Sequence, residues 1–358
     1  MAIEVDFLAV GEGSKSGDAI VFRYGNLMGP RDQWRCVVVD GGYSDDGERL
    51  RDFIVAQYGT PDVDIVINSH PDNDHSGGLR HILTDMNVGQ LWLHRPWARR
   101  DDIRAAVQHD VGGRPLTAKA LASLEKAREL EGIAKRRGIS ICERFAGIGV
   151  SDWRGAVYES LLVDMGKQQA SVAKSASVLG RMVEGGVGLL ARLAEGLHLE
   201  TLQDPADDAT SPSNNSSAIL LIEVDGHSVL LTADAGVPAL DRAEVFASDN
   251  GVDLKTCSLQ QIPHHGSKRN MGPTMLDAIV GERGAQQSHM QVVVSAAKEG
   301  RPKHPNPRVT NAYMRRGAGV WSTEGVNLRW SRGDCPHREG YDPADPLDFY
   351  HGEVEDDE

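Results

Sequence analysis

Four side chains that can bind metal fall within six consecutive positions of this 358-residue chain. They are His70, Asp72, Asp74 and His75, and they follow the apolar run 64–68 and precede a Ser-Gly-Gly sequence. A buried strand that ends in a tight, ligand-rich turn can hold two metal ions side by side. The spacing predicts that His70 and Asp72 face one ion and that Asp74 and His75 face the other. The alternative is a polar loop that caps the next helix, but such loops rarely carry so dense a run of ligands.

Two further strand ends carry residues of the same kind. The apolar run 230–232 leads to Asp234, and a carboxylate there could bridge two cations because each of its oxygens can face a different ion. The run 259–262 leads to His264 and His265. Adjacent histidines on extended backbone point in different directions, so one could bind metal while the other transfers a proton. Alone, Asp234 could be a turn residue and the histidines a surface pair; beside the 70–75 turn, a site is favoured.

Two loops add polar and cationic side chains that could bind the oxygens of a substrate. These are Ser267, Lys268, Arg269, Arg301, Lys303 and His304. Cations of this kind could hold phosphate oxygens, although short basic clusters are commonly solvated surface.

Composition limits the partners and the compartment. The chain is 40% apolar and 25% charged, enough for one large domain or two modest ones, and no apolar run reaches the roughly 18 residues of a membrane span. A signal peptide is not expected. The net charge of −14 repels nucleic acid, so a polyanion would have to be held by metal and a local basic patch. Four widely spaced cysteines without a CxxC pair predict free thiols and a cytoplasmic protein.

Apolar patterning predicts the elements that position these residues. Short apolar runs separated by turns predict strands over the first 95 residues and again after residue 217. Leucines at helical spacing between Thr117, a candidate cap, and Gly138 predict a helix, and a second helix is predicted at about 168–200. Asp225-Gly226 between two apolar runs predicts a type I′ hairpin.

The same patterning predicts the domain organisation. We expect an α/β body formed by residues 1–97 and 205–345. A mainly helical insertion is predicted at 98–204, and it could recruit a protein partner or mediate self-association. Residues 346–358 form an acidic tail that is expected to be disordered.

In chain order, these motifs resemble those of the metallo-β-lactamase superfamily. The resemblance rests on Asp40-Gly41-Gly42, H-P-D-N-D-H-S-G-G, Asn214 to Ser217, L-L-T-A-D, P-H-H-G-S and Lys303-His304-Pro305. The sequence is most similar to the soluble nuclease-like domain of ComEC-type competence proteins, over roughly 1–97 and 205–332. This resemblance implies a four-layer αββα sandwich with a dinuclear metal site at one edge of the paired sheets. The chain lacks the membrane channel of competence proteins, so DNA uptake is not implied.

The resemblance also implies roles for the motif residues. His70 and Asp72 would bind the first ion, Asp74 and His75 the second, and Asp234 would bridge the two.

The remaining ligand is less clear in the resemblance. His265 is the favoured ligand and His264 the favoured proton donor, but His304 could take either role. Asp40 and Asn215 would support the ligands from behind.

Two departures from the superfamily pattern bear on the metal. The superfamily commonly has histidine where this chain has Asp72, and again where Asn214 or Asn215 stands. An oxygen-rich first site binds zinc less tightly and favours manganese or magnesium. We therefore expect two divalent ions, zinc or manganese, with magnesium also possible.

The function predicted from these residues is metal-dependent hydrolysis of phosphodiesters, with nucleic acid or a small phosphodiester as the substrate. One alternative is a hydrolase of a small ester, a lactone or a cyclic nucleotide, because one fold serves many substrates. The other is a non-catalytic binding or scaffold protein with a relict metal site.

Overall fold

The computed structural model describes the chain except for residues 12, 96, 98–117, 144–147, 152–156, 161–199, 207–208, 285–288, 301–303, 353 and 355–358. The strands are β1 (Ala2–Phe7), β2 (Ile20–Gly25), β3 (Trp34–Val39), β4 (Asp62–Ile67), β5 (Asn87–Trp92), β6 (Ser140–Cys142), β7 (Ile148–Ser151), β8 (Val157–Ser160), β9 (Leu220–Val224), β10 (His227–Leu231), β11 (Leu259–Gln261), β12 (Gln291–Val294), β13 (Gly319–Ser322) and β14 (Leu328–Arg332). The α-helices are α1 (Asp46–Tyr58), α2 (Asn73–Ser76), α3 (Leu79–Asp85), α4 (Ala118–Arg137), α5 (Val237–Asp249), α6 (Pro273–Ile279) and α7 (Pro307–Arg315). Within these residues, no helix combines the length and apolar composition that crossing a bilayer requires.

Two seven-stranded sheets form the centre of the described structure. The strand orders are β14-β1-β2-β3-β4-β5-β6 and β13-β12-β11-β10-β9-β8-β7. Strands β3 to β6 run parallel in the first sheet, and β10 to β13 run parallel in the second. Parallel neighbours need a crossover connection. Helices α1, α3 and α4 provide it in the first sheet, and α5, α6 and α7 provide it in the second.

The central strands are buried on both faces, as β3 illustrates. Val37 and Val39 contribute to the core between the two sheets, whereas Cys36 and Val38 contribute to the core beneath the helices. Alternate residues of a strand point to opposite faces, so both sets must be apolar when both faces are covered. This explains the unbroken apolar run in the sequence.

Three apolar cores separate four layers. One core lies between the sheets. A second joins the first sheet to Leu50 of α1 and Ile82 of α3. The third joins the second sheet to Leu240 of α5, Leu276 of α6 and Val309 of α7. The predicted αββα sandwich is therefore confirmed.

Two local predictions are also confirmed. Asp225 and Gly226 have φ values of 51° and 81°, the left-handed pair that a type I′ hairpin needs, and they connect β9 to β10. Helix α4 spans the predicted leucine-rich stretch and is followed by Gly138 with φ 69°. The candidate cap Thr117 and the predicted helix at 168–200 lie outside the described residues.

The described part of the 98–204 segment differs from a separate helical insertion. Helix α4 packs with α3, and β6 extends the first sheet beside β5. Strands β7 and β8 form a hairpin that extends the second sheet through β9. These strands are only three or four residues long, which left too little periodicity for prediction. The domain boundaries themselves stay a prediction.

The described part of the acidic tail contacts the second sheet and its helices. The backbone N–H of Leu347 donates to Val320 O at 2.7 Å. Tyr350 and Asn311 exchange two hydrogen bonds of 2.9 Å between the tail backbone and the asparagine side chain. These contacts join residues 347–350 to β13 and α7, and the disorder of the tail stays a prediction.

Candidate metal centre

The candidate site lies where the carboxyl ends of parallel strands from both sheets meet. Asp40 follows β3, His70 follows β4, Asp234 follows β10, His265 follows β11 and Ser295 follows β12. Such edges are where open α/β sheets place ligands, because the connecting loops diverge there.

Unusual backbone conformations occur at this edge. Asp40, Ala233, His264 and His265 have φ values of 58°, 46°, 46° and 55°. Non-glycine residues rarely adopt this left-handed region, and such strain persists only where surrounding contacts enforce it. Here the backbone N–H of Asp40 donates to Ile67 O at 2.9 Å, and that of His264 donates to Ala233 O at 3.0 Å. The strain turns these side chains toward a common point.

His75 lies at the centre of the site and is fully buried. Its Nδ1 lies 2.8 Å from Asp40 Oδ2, and its Nε2 lies 3.2 Å from Asp234 Oδ1. A carboxylate behind one ring nitrogen orients the other toward a metal. Burial by itself would lower the pKa of His75, but the carboxylates of Asp234 and Asp40 outweigh it and raise the pKa well above its ordinary value.

His70 is oriented by the same aspartate through Ser69. The Ser69 hydroxyl donates to Asp40 Oδ2 at 2.5 Å and lies 3.0 Å from His70 Nδ1. The Ser69 backbone N–H also donates to Asp40, at 2.8 Å. His70 Nε2 then points to Asp234 Oδ2 at 3.7 Å. Asp40 therefore stands behind two histidines, and its predicted role as their support stays a prediction.

His265 is held in the ligand orientation from another strand. Its Nδ1 donates to Ser295 O at 2.9 Å, which leaves Nε2 3.7 Å from Asp74 Oδ2 and 3.9 Å from Asp234 Oδ1. Burial opposes the charged ring, but the Asp234 and Asp74 carboxylates raise the pKa of His265 to about 9. Burial would raise the pKa of Asp74, yet the nearby His265 ring and the charge of His75 lower it to about 2.

The unpaired atoms of this cluster are those that a metal would need. Nε2 of His70, His75 and His265 and Oδ1 of Asp234 are buried and make no hydrogen bond within the described residues. Each such atom costs about 1–3 kcal/mol unless something compensates it. Ligand atoms about 2.1 Å from a tetrahedral ion lie roughly 3.4 Å apart, close to the spacings here. Two groups, His70-His75-Asp234 and Asp74-His75-His265, have ligand atoms within 4.8 Å of one another. The residues present therefore fit divalent metal.

Asp72 lies beside the cluster. Its Oδ1 accepts a hydrogen bond of 2.8 Å from the Ser213 hydroxyl, and none of the metal-competent groups among the described residues includes it. Its charge nevertheless acts on His70, where it opposes the lowering of the pKa by burial. The place of Asp72 on the first ion stays a prediction. A contact between residues 141 positions apart leaves no local sequence signal.

Asp18 joins the cluster and was missed from the sequence. It is 1% exposed, and its ligand atoms lie within 4.8 Å of those of Asp234 and His265. Asp18 precedes β2, and β2 pairs antiparallel with β3. The amino end of β2 therefore lies beside the carboxyl end of β3. The available signal was a lone aspartate directly before the apolar run 19–22.

The mouth of the site is formed by His264, a third exposed, and His304. His264 Nε2 lies 3.5 Å from Asp234 Oδ2, and its Nδ1 lies 2.8 Å from Asn270 Oδ1. The His304 ring centroid lies 6.3 Å from that of His264. Burial, together with the charges of His265 and His264, lowers the pKa of His304 to about 4. His264 is thus partly exposed beside a buried His265, and the division of their roles stays a prediction.

Two asparagines also stand near the mouth. Asn214 Nδ2 donates to Asp234 Oδ2 at 3.2 Å and lies 3.1 Å from His264 Nδ1. Asn215, the predicted supporting residue, instead accepts a hydrogen bond of 3.2 Å from the Gly236 N–H. It therefore fixes the turn after Asp234, whereas Asn214 contacts the site directly.

The structure describes only some of the predicted substrate-binding residues. The Ser267 hydroxyl is buried and accepts from the Arg269 N–H at 3.2 Å, so it closes a turn. Lys268 is half-buried, and Arg269 is exposed. Arg301 and Lys303 lie outside the described residues. Substrate contacts of this loop stay a prediction.

Comparisons with known proteins add to this geometry. Residues 31–99 match the family model of the metallo-beta-lactamase superfamily. No curated protein matches the chain.

Similar solved structures are distant. The metallo-beta-lactamase fold protein YhfI from Bacillus subtilis is 11% identical, with a TM-score of 0.45 over 92% of this chain and 99% of that chain. A mutant of CmlA beta-hydroxylase is 13% identical, with a TM-score of 0.42 over 91% of this chain and 53% of that chain. The Rm3 metallo-beta-lactamase is 12% identical, with a TM-score of 0.33 over 77% of this chain and 84% of that chain. Likenesses of this size carry no argument about activity.

The resemblance to ComEC-type proteins in particular stays a prediction. The family match covers Asp40 and the turn that carries His70, Asp74 and His75. This match supports membership of the chain in the metallo-beta-lactamase superfamily.

Proposed function

We propose that the protein is a metal-dependent hydrolase that uses two divalent ions to cleave phosphodiester bonds. The observation that carries the proposal is the buried set of three imidazole nitrogens and Asp234 Oδ1, which face one another without hydrogen-bond partners in the described residues. Such a set is costly to bury without a cation.

The choice of phosphodiesters rests on the ligand chemistry. The cluster contains more aspartates than a nitrogen-rich zinc site needs. Besides Asp74 and Asp234, the buried Asp18 and Asp40 lie at the same cluster. Oxygen ligands suit manganese and magnesium, the ions that commonly accompany phosphate substrates. The net charge of −14 favours a small or locally held phosphodiester over a long duplex.

The ions, when bound, would supply a water of lowered pKa and positive charge beside the phosphoryl oxygens. His70, Asp74, His75 and His265 would hold them, and Asp234 would contact both. The mouth position of His264 suits it to give a proton from Nε2 to the departing oxygen, with Asn270 orienting the ring from Nδ1.

The test is a substrate panel on purified full-length protein stripped by chelator and reloaded with manganese, zinc or magnesium. The panel contains bis-(p-nitrophenyl) phosphate, single-stranded DNA, RNA, a cyclic dinucleotide, an ester and a lactone. We expect phosphodiester cleavage that is abolished in His75→Ala and Asp234→Ala. His227→Ala is the matched control, because His227 begins the strand that ends beside Asp234 and belongs to no metal-competent group in the described residues.

Other outcomes of the panel would replace the proposal. Cleavage of the ester or lactone alone would favour a small-ester hydrolase. Less than about one metal equivalent after saturation would favour a binding protein with a relict site. The four cysteines are free thiols, so we also propose a reducing, cytoplasmic location.

A further inference from the structure

We infer that Asp18 is a metal ligand in this chain, on the side of the cluster that Asp234 and His265 form. The inference rests on the proposed metal centre. It adds a ligand from the loop between β1 and β2, outside the strand-end motifs that suggested the site.

The first observation is the unequal environment of the two Asp18 oxygens. Gln261 Nε2 donates to Oδ2 at 2.9 Å. Oδ1 is buried and has no hydrogen-bond partner in the described residues. Asp18 is thus a carboxylate held through Oδ2, while the Ser295 hydroxyl lies near it without a hydrogen bond to Oδ1, and such a support from one side is how proteins orient a ligand.

The second observation is the set of groups around the Asp18 carboxylate. Asp18 forms one close group with Asp234 and His265, whereas its Oδ2 lies 3.7 Å from His75 Nδ1, on the Asp40 side of that ring. Nε2 of His265 and Oδ1 of Asp234 are themselves buried and unpaired in the described structure. An aspartate here would repel Asp234 unless a cation lay between them.

The backbone also fixes Asp18 against the metal-binding turn. Its N–H donates to Asp74 O at 3.0 Å, and its carbonyl accepts from the Gly42 N–H at 2.7 Å. A Cβ at Gly17 would lie 2.6 Å from Asp74 O, so the residue before Asp18 must be glycine for this approach. The Gly17-Asp18 pair is therefore shaped to bring a carboxylate to the turn.

Charge balance points the same way. Asp18, Asp40, Asp74 and Asp234 are four carboxylates around the cluster, and two divalent ions would neutralise them with the histidines uncharged. Asp72, by contrast, is half-buried and hydrogen-bonded to Ser213. Asp18 therefore adds a carboxylate to the cluster from a loop that the strand-end motifs do not include.

The test measures metal binding rather than activity. Mn²⁺ is titrated into metal-free full-length protein, and free Mn²⁺ is followed by electron paramagnetic resonance. Asp18→Asn preserves the shape and can still accept from Gln261, so we expect it to fold with an unchanged circular dichroism spectrum. Its affinity for one of the two ions should fall at least about tenfold.

The matched control is Asp6→Asn. Asp6 is also a fully buried aspartate at the first sheet, but it pairs with Arg338 and Tyr58 and lies in no metal-competent group of the described residues. Its manganese affinities should equal those of the wild type. Two ions bound by Asp18→Asn with wild-type affinities would overturn the inference.

A second measurement serves if Asp18→Asn fails to fold. In manganese-loaded wild-type crystals, an anomalous peak within about 2.0–2.6 Å of an Asp18 oxygen is expected. Two peaks that both lie beyond about 3.5 Å would overturn the inference. Failure of the proposed function looks different, because a wild-type chain that binds two ions through Asp18 but cleaves no phosphodiester refutes the phosphodiesterase alone.

Discussion

Substitution of Asp40 perturbs the site directly without removing a predicted metal ligand. It accepts hydrogen bonds from the Ser69 hydroxyl at 2.5 Å and the Ser69 N–H at 2.8 Å, and it lies 2.8 Å from His75 Nδ1. Asp40→Asn keeps the size of the side chain and tolerates the φ of 58° well, because asparagine adopts left-handed backbone readily. The Ser69 hydroxyl and His75 Nδ1 both contact Oδ2, whereas the Ser69 N–H contacts Oδ1. The amide NH2 must take one of these positions and cannot accept there, and the negative charge behind His75 is lost in either case.

The magnitudes follow from these contacts. Hydrogen bonds to a charged group contribute about 1.5–3 kcal/mol each, so losing the charge should lower the free energy of unfolding of the metal-free protein by about 2–4 kcal/mol. Loss of the support behind a histidine ligand typically weakens metal binding 10–100-fold. Asp40→Asn should therefore fold, bind manganese 10–100-fold more weakly than the wild type, and lose activity in proportion at limiting metal.

The assay is chemical denaturation together with manganese titration. Asp225→Asn is the matched control, because Asp225 has φ 51° but lies in the exposed β9–β10 hairpin. The control should change neither the manganese affinity nor the stability by more than about 0.5 kcal/mol. If Asp40→Asn binds both ions as tightly as the wild type, the reasoning that Asp40 orients His70 and His75 is refuted.

Three further predictions follow from the site and the core. The pKa values of His75 and His265 are raised, so both rings carry protons near neutral pH without metal. Metal binding should therefore release protons, and the metal affinity should rise with pH up to about 9. Calorimetric titration in buffers of different ionisation enthalpy checks this, and binding heats that do not depend on the buffer would contradict it. His264→Gln should keep both ions but slow cleavage of alkyl phosphodiesters far more than of p-nitrophenyl esters, whose leaving group needs no proton; equal losses would argue against proton donation. Phe7→Ala should lower the free energy of unfolding by about 3–5 kcal/mol because Phe7 is fully buried between the sheets; a loss under 1 kcal/mol, measured by denaturation, would contradict the assigned core.

Site residues that follow the end of a strand were predictable because the strand itself is recognisable in the local sequence. Apolar runs before His70, Asp234 and His264 predicted strands, and parallel strands place their carboxyl ends at one edge. The tandem histidines could not be told apart from sequence, since both have left-handed backbone and only the tertiary packing buries His265 while His264 stays a third exposed.

Long-range contacts decide the surroundings of two aspartates. Asp72 accepts a hydrogen bond from the Ser213 hydroxyl, 141 positions away in the chain. Asp18 was missed because it begins a strand instead of ending one, and only the antiparallel pairing of β2 with β3 brings it to the site. Pairing partners are a tertiary property that periodicity does not reveal.

The extent of the sandwich was also only partly predictable. Strands β6 to β8 are short and lie at the edges of the sheets. β6 pairs with β5 and β8 pairs with β9, and many residues separate the two strands of each pair in the sequence. Leu347 in the acidic tail packs against the core between the second sheet and its helices, a contact that composition could not indicate.

The most direct test of the metal centre is the metal content of the purified full-length chain. The protein is saturated with manganese, freed of excess ions by gel filtration, and analysed by elemental mass spectrometry beside His75→Ala and His227→Ala. Two equivalents of manganese in the wild type and in His227→Ala, with a marked loss in His75→Ala, are expected. Less than about one equivalent in the wild type, or the same content in all three proteins, would contradict a dinuclear centre built on His75.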